Sequence, residues 1–207
     1  SLYEANDIYN RLINYTDRLL FFPMDDFIDI EASIISSELM FERLKTLNKI
    51  LEDDKYIIIS NLMGLLRYLP SKSLYENKIV KLNSDLDVNR DVLINKLFDL
   101  GYEKVPLVTK TGEMAIRGYV IDIFPIGIDN PIRIEFWGDT IDSIKYFDLD
   151  SQISNACLDE ISIYPFTEFL LDNKNDIDSK MFKQKYLPYY SKLVQGIWNY
   201  LGNYTLF

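Results

Sequence analysis

There is no histidine among the 207 residues of this chain. That gap removes the commonest general base, the serine–histidine–aspartate arrangement and the commonest metal ligand together. The single cysteine, Cys157, excludes an intramolecular disulfide and any cysteine-based zinc cage, and it reads as a small buried hydrophobe. A phosphate loop needs clustered glycines followed by lysine and Ser/Thr, so that backbone amides and an ammonium hold the phosphates. None of the eight glycines here is followed by lysine. No apolar run approaches the ~20 residues that span a bilayer and no signal peptide opens the chain, so a cytoplasmic protein without membrane contact is expected. Basic charge is also in deficit, with 22 Lys and Arg against 32 Asp and Glu and a net charge of −10. Nucleic-acid binders carry basic stripes that displace counterions, so direct DNA binding is not expected of this chain.

What is present is ample core material. A hydrophobic fraction of 48% with 14% aromatics argues against disorder, and the length suits one large domain or two small ones. The chain reads as cut from something larger. It opens on Ser1 without an initiator methionine and stops on Tyr204-Thr-Leu-Phe207, an apolar ending that resembles an interrupted strand.

The first part alternates helix and strand. Leu2, Ala5, Ile8, Tyr9 and Leu12 share one helical face, with Ser1 and Glu4 at capping-box spacing. Leu19-Leu-Phe-Phe22 reads as a buried strand ended by Pro23. A helix starting near Ser36 and Glu38 follows, lined by Met40, Leu44, Leu47 and Leu51. Tyr56-Ile-Ile-Ile59 is a second buried strand, and a short helix runs through Leu62, Leu65, Leu66 and Leu69 to Pro70. Near-continuous apolar strands alternating with helices indicate a parallel α/β sheet.

Polar residues 71–77 mark a boundary, beyond which the pattern changes. A helix capped near Asp87 carries Val92, Leu93, Leu97 and Leu100, with Gly101 just past its end. Strands are predicted at about 114–124, 132–137 and 141–147, the last two joined by a tight Gly138-Asp139 turn, and a shorter one at 161–164. This part is α+β with an antiparallel sheet that can leave one face open. Residues 171–180 read as a linker or helix approach, followed by a helical stretch interrupted by Pro188 and an aromatic-rich end from Trp198.

Three constellations could carry function. Asp25-Asp26 after the first strand could pass for magnesium-binding carboxylates, but Pro23 and Met24 intervene and the lysine partner is missing, so a solvated loop explains them. Asp122, Glu135 and Asp139 could form an acid–base pair, which requires environments that push two pKa values apart. Asp139 already has a turn to serve, and an ion pair accounts for Glu135. The third is a binding surface. Period-2 alternation puts Ile132, Ile134 and Phe136 on one face of their strand and Arg133, Glu135 and Trp137 on the other. Tryptophan beside arginine is the residue chemistry of binding hot spots. Arginine is scarce, with seven in the chain and none after Arg133. Arg117 begins the neighbouring strand in this reading. Two readings stay open: an exposed hot-spot face, or a Trp137 packed under a loop with both arginines paired to local carboxylates.

The string from Gly112 through Arg117-Gly118, Asp122-Ile-Phe-Pro125 and Pro131-Ile-Arg133-Ile-Glu-Phe-Trp137-Gly-Asp139 to Ile144 resembles the UvrA-binding domain shared by the excision nuclease subunit UvrB and the transcription-repair coupling factors. Phe21-Phe-Pro-Met-Asp-Asp-Phe27, Ser36-Ser-Glu-Leu-Met-Phe-Glu-Arg43-Leu and Asp150-Ser-Gln152 resemble the coupling-factor side of that family. The resemblance implies a RecA-like α/β domain interrupted by the UvrA-binding domain. Residues 1–75 would be the later part of a degenerate RecA-like domain, 76–165 the inserted α+β domain, and 166–207 the start of the returning segment. It further implies that Arg117, Arg133 and Trp137 contact UvrA, with Trp137 standing where many relatives have phenylalanine. No catalysis and no cofactor is implied for this part. ATP, magnesium, DNA and RNA polymerase would be handled by other domains of a longer parent, whose C-terminal domain would mask the UvrA surface. A segment of UvrB itself, or an unrelated small-molecule enzyme built on the α/β half, are the competing readings.

Overall fold

A computed structural model describes residues 1–26, 37–53, 55–171, 195–202 and 204–205. The expectations for Ser36, for residues 172–180, for the Pro188 helix and for Phe207 lie outside these. The chain divides into two compact units, residues 1–77 with 168–207, and residues 78–167. The expected divisions fell at 75/76 and 165/166.

In the first unit α1 (Leu2–Leu12) opens with a full capping box, the Ser1 hydroxyl accepting from the Glu4 amide and the Glu4 carboxylate reaching back to Ser1. Strands β1 (Leu19–Phe22) and β2 (Ile57–Ser60) pair in parallel, with Leu19 opposite Ile57. Helix α2 (Ser37–Glu52) lies between them in sequence, as a parallel crossover requires. Its Thr46 hydroxyl donates to the Phe21 carbonyl at 2.6 Å, and Tyr9 of α1 stacks on Phe21 at 4.9 Å. Only part of the expected α1 face is covered: Ala5 is buried, whereas Ile8 and Leu12 are exposed.

Two expectations here need correction. Helix α3 is one turn (Leu62–Leu65), capped by the Asn61 side chain, and Leu62 and Leu66 are exposed. The boundary expected within the polar residues 71–77 falls at their end, after Asn77, and the stretch itself is helix α4 (Lys72–Lys78), which buries Leu74 and Tyr75. The Tyr75 hydroxyl donates to Asn48 at 2.7 Å, which gives a helix poor in apolar residues a fixed seat.

Glu168, Arg43 and Arg67 are all buried. The Glu168 carboxylate takes both guanidinium groups, Arg43 Nε at 2.7 Å and Arg67 Nη2 at 2.6 Å. The spare Nη1 of Arg43 donates to the Pro23 carbonyl. Burial alone would push the Glu168 carboxyl up, but the pull of Arg67 and Arg43 outweighs it and holds the pKa at about 2. Gln195 closes a two-way backbone bridge with Leu69, and Tyr200 donates to the Pro70 carbonyl.

The second unit is a six-stranded sheet in the order β4-β5-β6-β7-β8-β9, with α5 (Arg90–Asp99) and a separate antiparallel pair, β3 (Val80–Asn83) with β10 (Glu160–Ile163). The sheet strands are β4 (Glu103–Lys104), β5 (Glu113–Arg117), β6 (Val120–Ile123), β7 (Ile132–Trp137), β8 (Thr140–Phe147) and β9 (Ser154–Leu158). All neighbours are antiparallel except β4 with β5. Leu93, Leu97 and Leu100 pack on Ile121, Ile123, Ile132, Ile134 and Phe136 to form the core.

The strand expected at 114–124 is a hairpin. Arg117 pairs with Val120 across a two-residue Gly118-Tyr119 loop, so Arg117 ends a strand rather than beginning one. Gly118 has φ +58°, the left-handed value that the first loop position of such a tight turn demands. The cap of α5 is Asn89, which accepts from the Asp91 and Val92 amides, and not Asp87, which accepts the Thr140 hydroxyl instead. Cys157 is exposed rather than buried, because it sits on β9 at the sheet edge, across from Lys145.

Candidate protein-binding site

Strand register decides which side chains share the outer face. Asp122 pairs with Ala115 on one side and Arg133 on the other, and Arg133 pairs onward with Lys145. The adjacent row runs Arg117, Val120, Glu135, Ser143, and Trp137 stands opposite Thr140. Arg117 therefore lies on the same face as Arg133 and Trp137, two strands away across β6. The alternation in β7 is as expected: Ile132, Ile134 and Phe136 are buried, and Trp137 is 83% exposed. A bulge between β7 and β8 at Glu135/Phe136 adds twist at the end that carries Trp137.

The two arginines are not equivalent. Both bind the Asp122 carboxylate, which is 1% exposed. Arg133 gives Nε to Oδ1 at 2.7 Å and Nη2 to Oδ2 at 3.0 Å; Arg117 gives Nη2 to Oδ2 at 2.9 Å. Arg133 also donates Nη1 to the Gln152 carbonyl and the Ser154 hydroxyl, both at 3.2 Å, and its guanidinium lies over the Phe147 ring at 4.9 Å. Its side chain is 17% exposed, against 50% for Arg117. The hydrogen bond to Asp122 raises the Arg133 pKa still further.

Of the two readings left open by the sequence, each is half right. The tryptophan is exposed, as a hot spot requires, and both arginines pair with a local carboxylate. The expected ion pair of Glu135 forms with Lys145, at 2.5 Å, while the Ser143 hydroxyl donates to the same oxygen at 2.7 Å. Those bonds hold the Glu135 carboxyl below its ordinary range and raise the Lys145 ammonium. Asp122 is engaged by two arginines and Glu135 by Lys145 and Ser143, so both carboxylates serve ion pairs within the sheet. Asp26, the other candidate carboxylate, accepts the Leu2 amide of α1 and the Asn61 side chain, which is a structural task.

Sequence reasoning missed two contributors. Arg90, at the start of α5, donates through Nη1 to the Gly118 carbonyl and braces the β5–β6 turn. Gln152 adopts φ +60°, uncommon for a residue with a Cβ, and that conformation delivers its carbonyl to Arg133. Only the Asp150-Ser-Gln152 string hinted at this, and it did so through resemblance rather than spacing.

Among the described residues no helix is long and apolar enough to cross a membrane. Residues 80–169 match the family described as the UvrB interaction domain. Over 173 residues, 83% of this chain, the sequence is 34% identical to the transcription-repair-coupling factors of Staphylococcus aureus strains bovine RF122 / ET3-1 and MRSA252. It is 32% identical to that of Staphylococcus haemolyticus strain JCSC1435 over the same length. The matched region spans 15% of each of these relatives. Residues 80–169 are thus similar to the UvrB interaction domain, and the relatives that the chain resembles over most of its length are transcription-repair-coupling factors.

Proposed function

We propose that this chain is a non-catalytic recruitment module whose β5–β8 face binds UvrA, within a protein that couples transcription to DNA repair. The observation that carries the reading is Trp137, an exposed tryptophan on the same sheet face as a half-exposed arginine, inside a region similar to the UvrB interaction domain. A tryptophan left in water has no folding rationale of its own, whereas buried under a partner it supplies apolar area with few rotamers to freeze. Arg117 contributes the charge. It spends one Nη2 bond on Asp122 and its side chain is half exposed, which leaves donors suited to a carboxylate of the partner.

In this reading Trp137 and Arg117 meet UvrA, Arg133 supports them, and no cofactor is used by this chain. DNA, RNA polymerase, ATP and magnesium would engage other parts of a longer cytoplasmic parent, one of whose domains would cover this face until it is needed. The names of the similar full-length proteins favour a coupling factor over a segment of UvrB. Titration of the chain with UvrA tests the reading: Trp137→Ala should weaken binding about thirtyfold or more while leaving the unfolding midpoint unchanged. Unchanged affinity in that variant would remove the assignment.

A further inference from the structure

A carboxylate in the middle of an antiparallel sheet is a poor way to stabilise it. Removing Asp122 from water costs more than its ion pairs reliably return, and an apolar residue on β6 would serve folding as well. The chain nevertheless places this carboxylate between two arginines drawn from β5 and β7, with the Oδ2 oxygen shared by both. Every nitrogen of the Arg133 guanidinium is occupied: Nε and Nη2 by Asp122, and Nη1 by Gln152 and Ser154. Phe147 closes one flat side of it. Four of its five N–H groups are thus spent inside the sheet, and a single Nη2 N–H is left. Arg117 has a single bond to Asp122 and half its surface free.

We propose that Asp122 is the positioning residue of the docking face: it fixes Arg117 in the pose that meets the partner, and Arg133 acts behind it as a fastener rather than as a contact. This rests on the UvrA reading above. The physical gain is preorganisation. A free arginine loses several rotamers on binding, and one already tethered by Nη2 loses fewer. The charges agree with the geometry, since two guanidinium groups against one carboxylate leave one net positive charge on this face of a chain that is otherwise strongly acidic. Arg133 also prevents collapse. Without it the whole fork of Arg117 can close on Asp122 and withdraw from the surface.

The test is a pair of mutant cycles, read by UvrA affinity and by urea unfolding of the full chain. Asp122→Asn and Arg133→Ala are each made in the wild-type and in the Arg117→Ala background. In the wild-type background each should weaken UvrA binding about tenfold. In the Arg117→Ala background each should change affinity by less than about twofold, because the residue through which they act is gone. An equal loss in both backgrounds would overturn the inference, since it would mean that Arg133 or Asp122 serves binding independently of Arg117. Should Asp122→Asn fail to unfold cooperatively, the same cycle with Arg133→Gln decides alone, because glutamine at 133 can still donate a hydrogen bond to Asp122 when Arg117 is also removed. Trp137→Ala separates the two claims. If it binds UvrA as wild type does, the docking reading itself fails; if it binds weakly while the cycles are additive, only the positioning inference fails.

Discussion

Two buried carboxylates, Asp122 and Glu168, each receive two arginines, yet they face different consequences when removed. Glu168 sits where Arg43 and Arg67 have no water to turn to, so Glu168→Gln leaves two buried cations short of a counter-charge. That change should cost about 3–5 kcal/mol, measurable as a shift in urea midpoint. The same carboxyl sets a pH limit. Its pKa is depressed from 4.5 to about 2, so its contribution is complete above pH 4.5 and is lost as the pH falls towards 2. Unfolding free energy measured at pH 5 and pH 3 should show that loss in the wild type and a much smaller one in Glu168→Gln. Trp137 is the opposite case. Its side chain contributes little to the fold, so Trp137→Ala should stay within about 0.5 kcal/mol of wild-type stability while losing the partner.

At the scale of elements, the hairpins govern where those side chains point. Gly118 and Gly138 both occupy left-handed φ, and the space a Cβ would fill is open at each. Gly118→Ala should therefore cost only the backbone term, about 1 kcal/mol, and Gly118→Asn less. Gly112 shares the positive φ, but a Cβ there would stand 2.1 Å from the Phe166 ring. Gly112→Ala should cost about 2–4 kcal/mol, strain and clash together, and the three variants ranked by urea denaturation check the order. The β7–β8 hairpin was legible because Gly-Asp lies between two alternating apolar runs. The β5–β6 hairpin was not. Ile121 and Ile123 continue the apolar character of Met114–Ile116 so smoothly that Gly118-Tyr119 read as part of one long strand. Strands β3, β4 and β9 carry few β-branched residues and exist because a neighbour offers them a ladder, which is a tertiary fact. The α3 reading failed for the converse reason: four leucines at helical spacing do not make a helix where Asn61 caps a single turn and two of the leucines find no partner.

For the molecule as a whole, the change of pattern near residue 77 separates two ways of building a core. Every residue of the large apolar cluster on α5 and the inner sheet face comes from the unit of residues 78–167. Those residues alone should unfold in one cooperative transition, seen by circular dichroism in urea, and a non-cooperative melt would contradict that independence. The candidate site was legible in its members and not in its roles. Period-2 alternation was enough to expose Trp137 and pair it with Arg133, but burial is a property of the assembled sheet. Only the register shows that Asp122, dismissed as an acid–base candidate, stands between both arginines, or that Gln152 arrives from beyond β8 to finish enclosing Arg133.

The outer face of β5–β8 is proposed as a docking surface for UvrA, and a titration addresses that most directly. The 207-residue chain and its Arg117→Ala/Trp137→Ala double variant would each be titrated with UvrA at two salt concentrations. The wild type should bind, more weakly at the higher salt because arginine charge contributes, and the double variant should lose binding while unfolding at the wild-type urea midpoint. A folded double variant that holds UvrA with undiminished affinity would contradict the account.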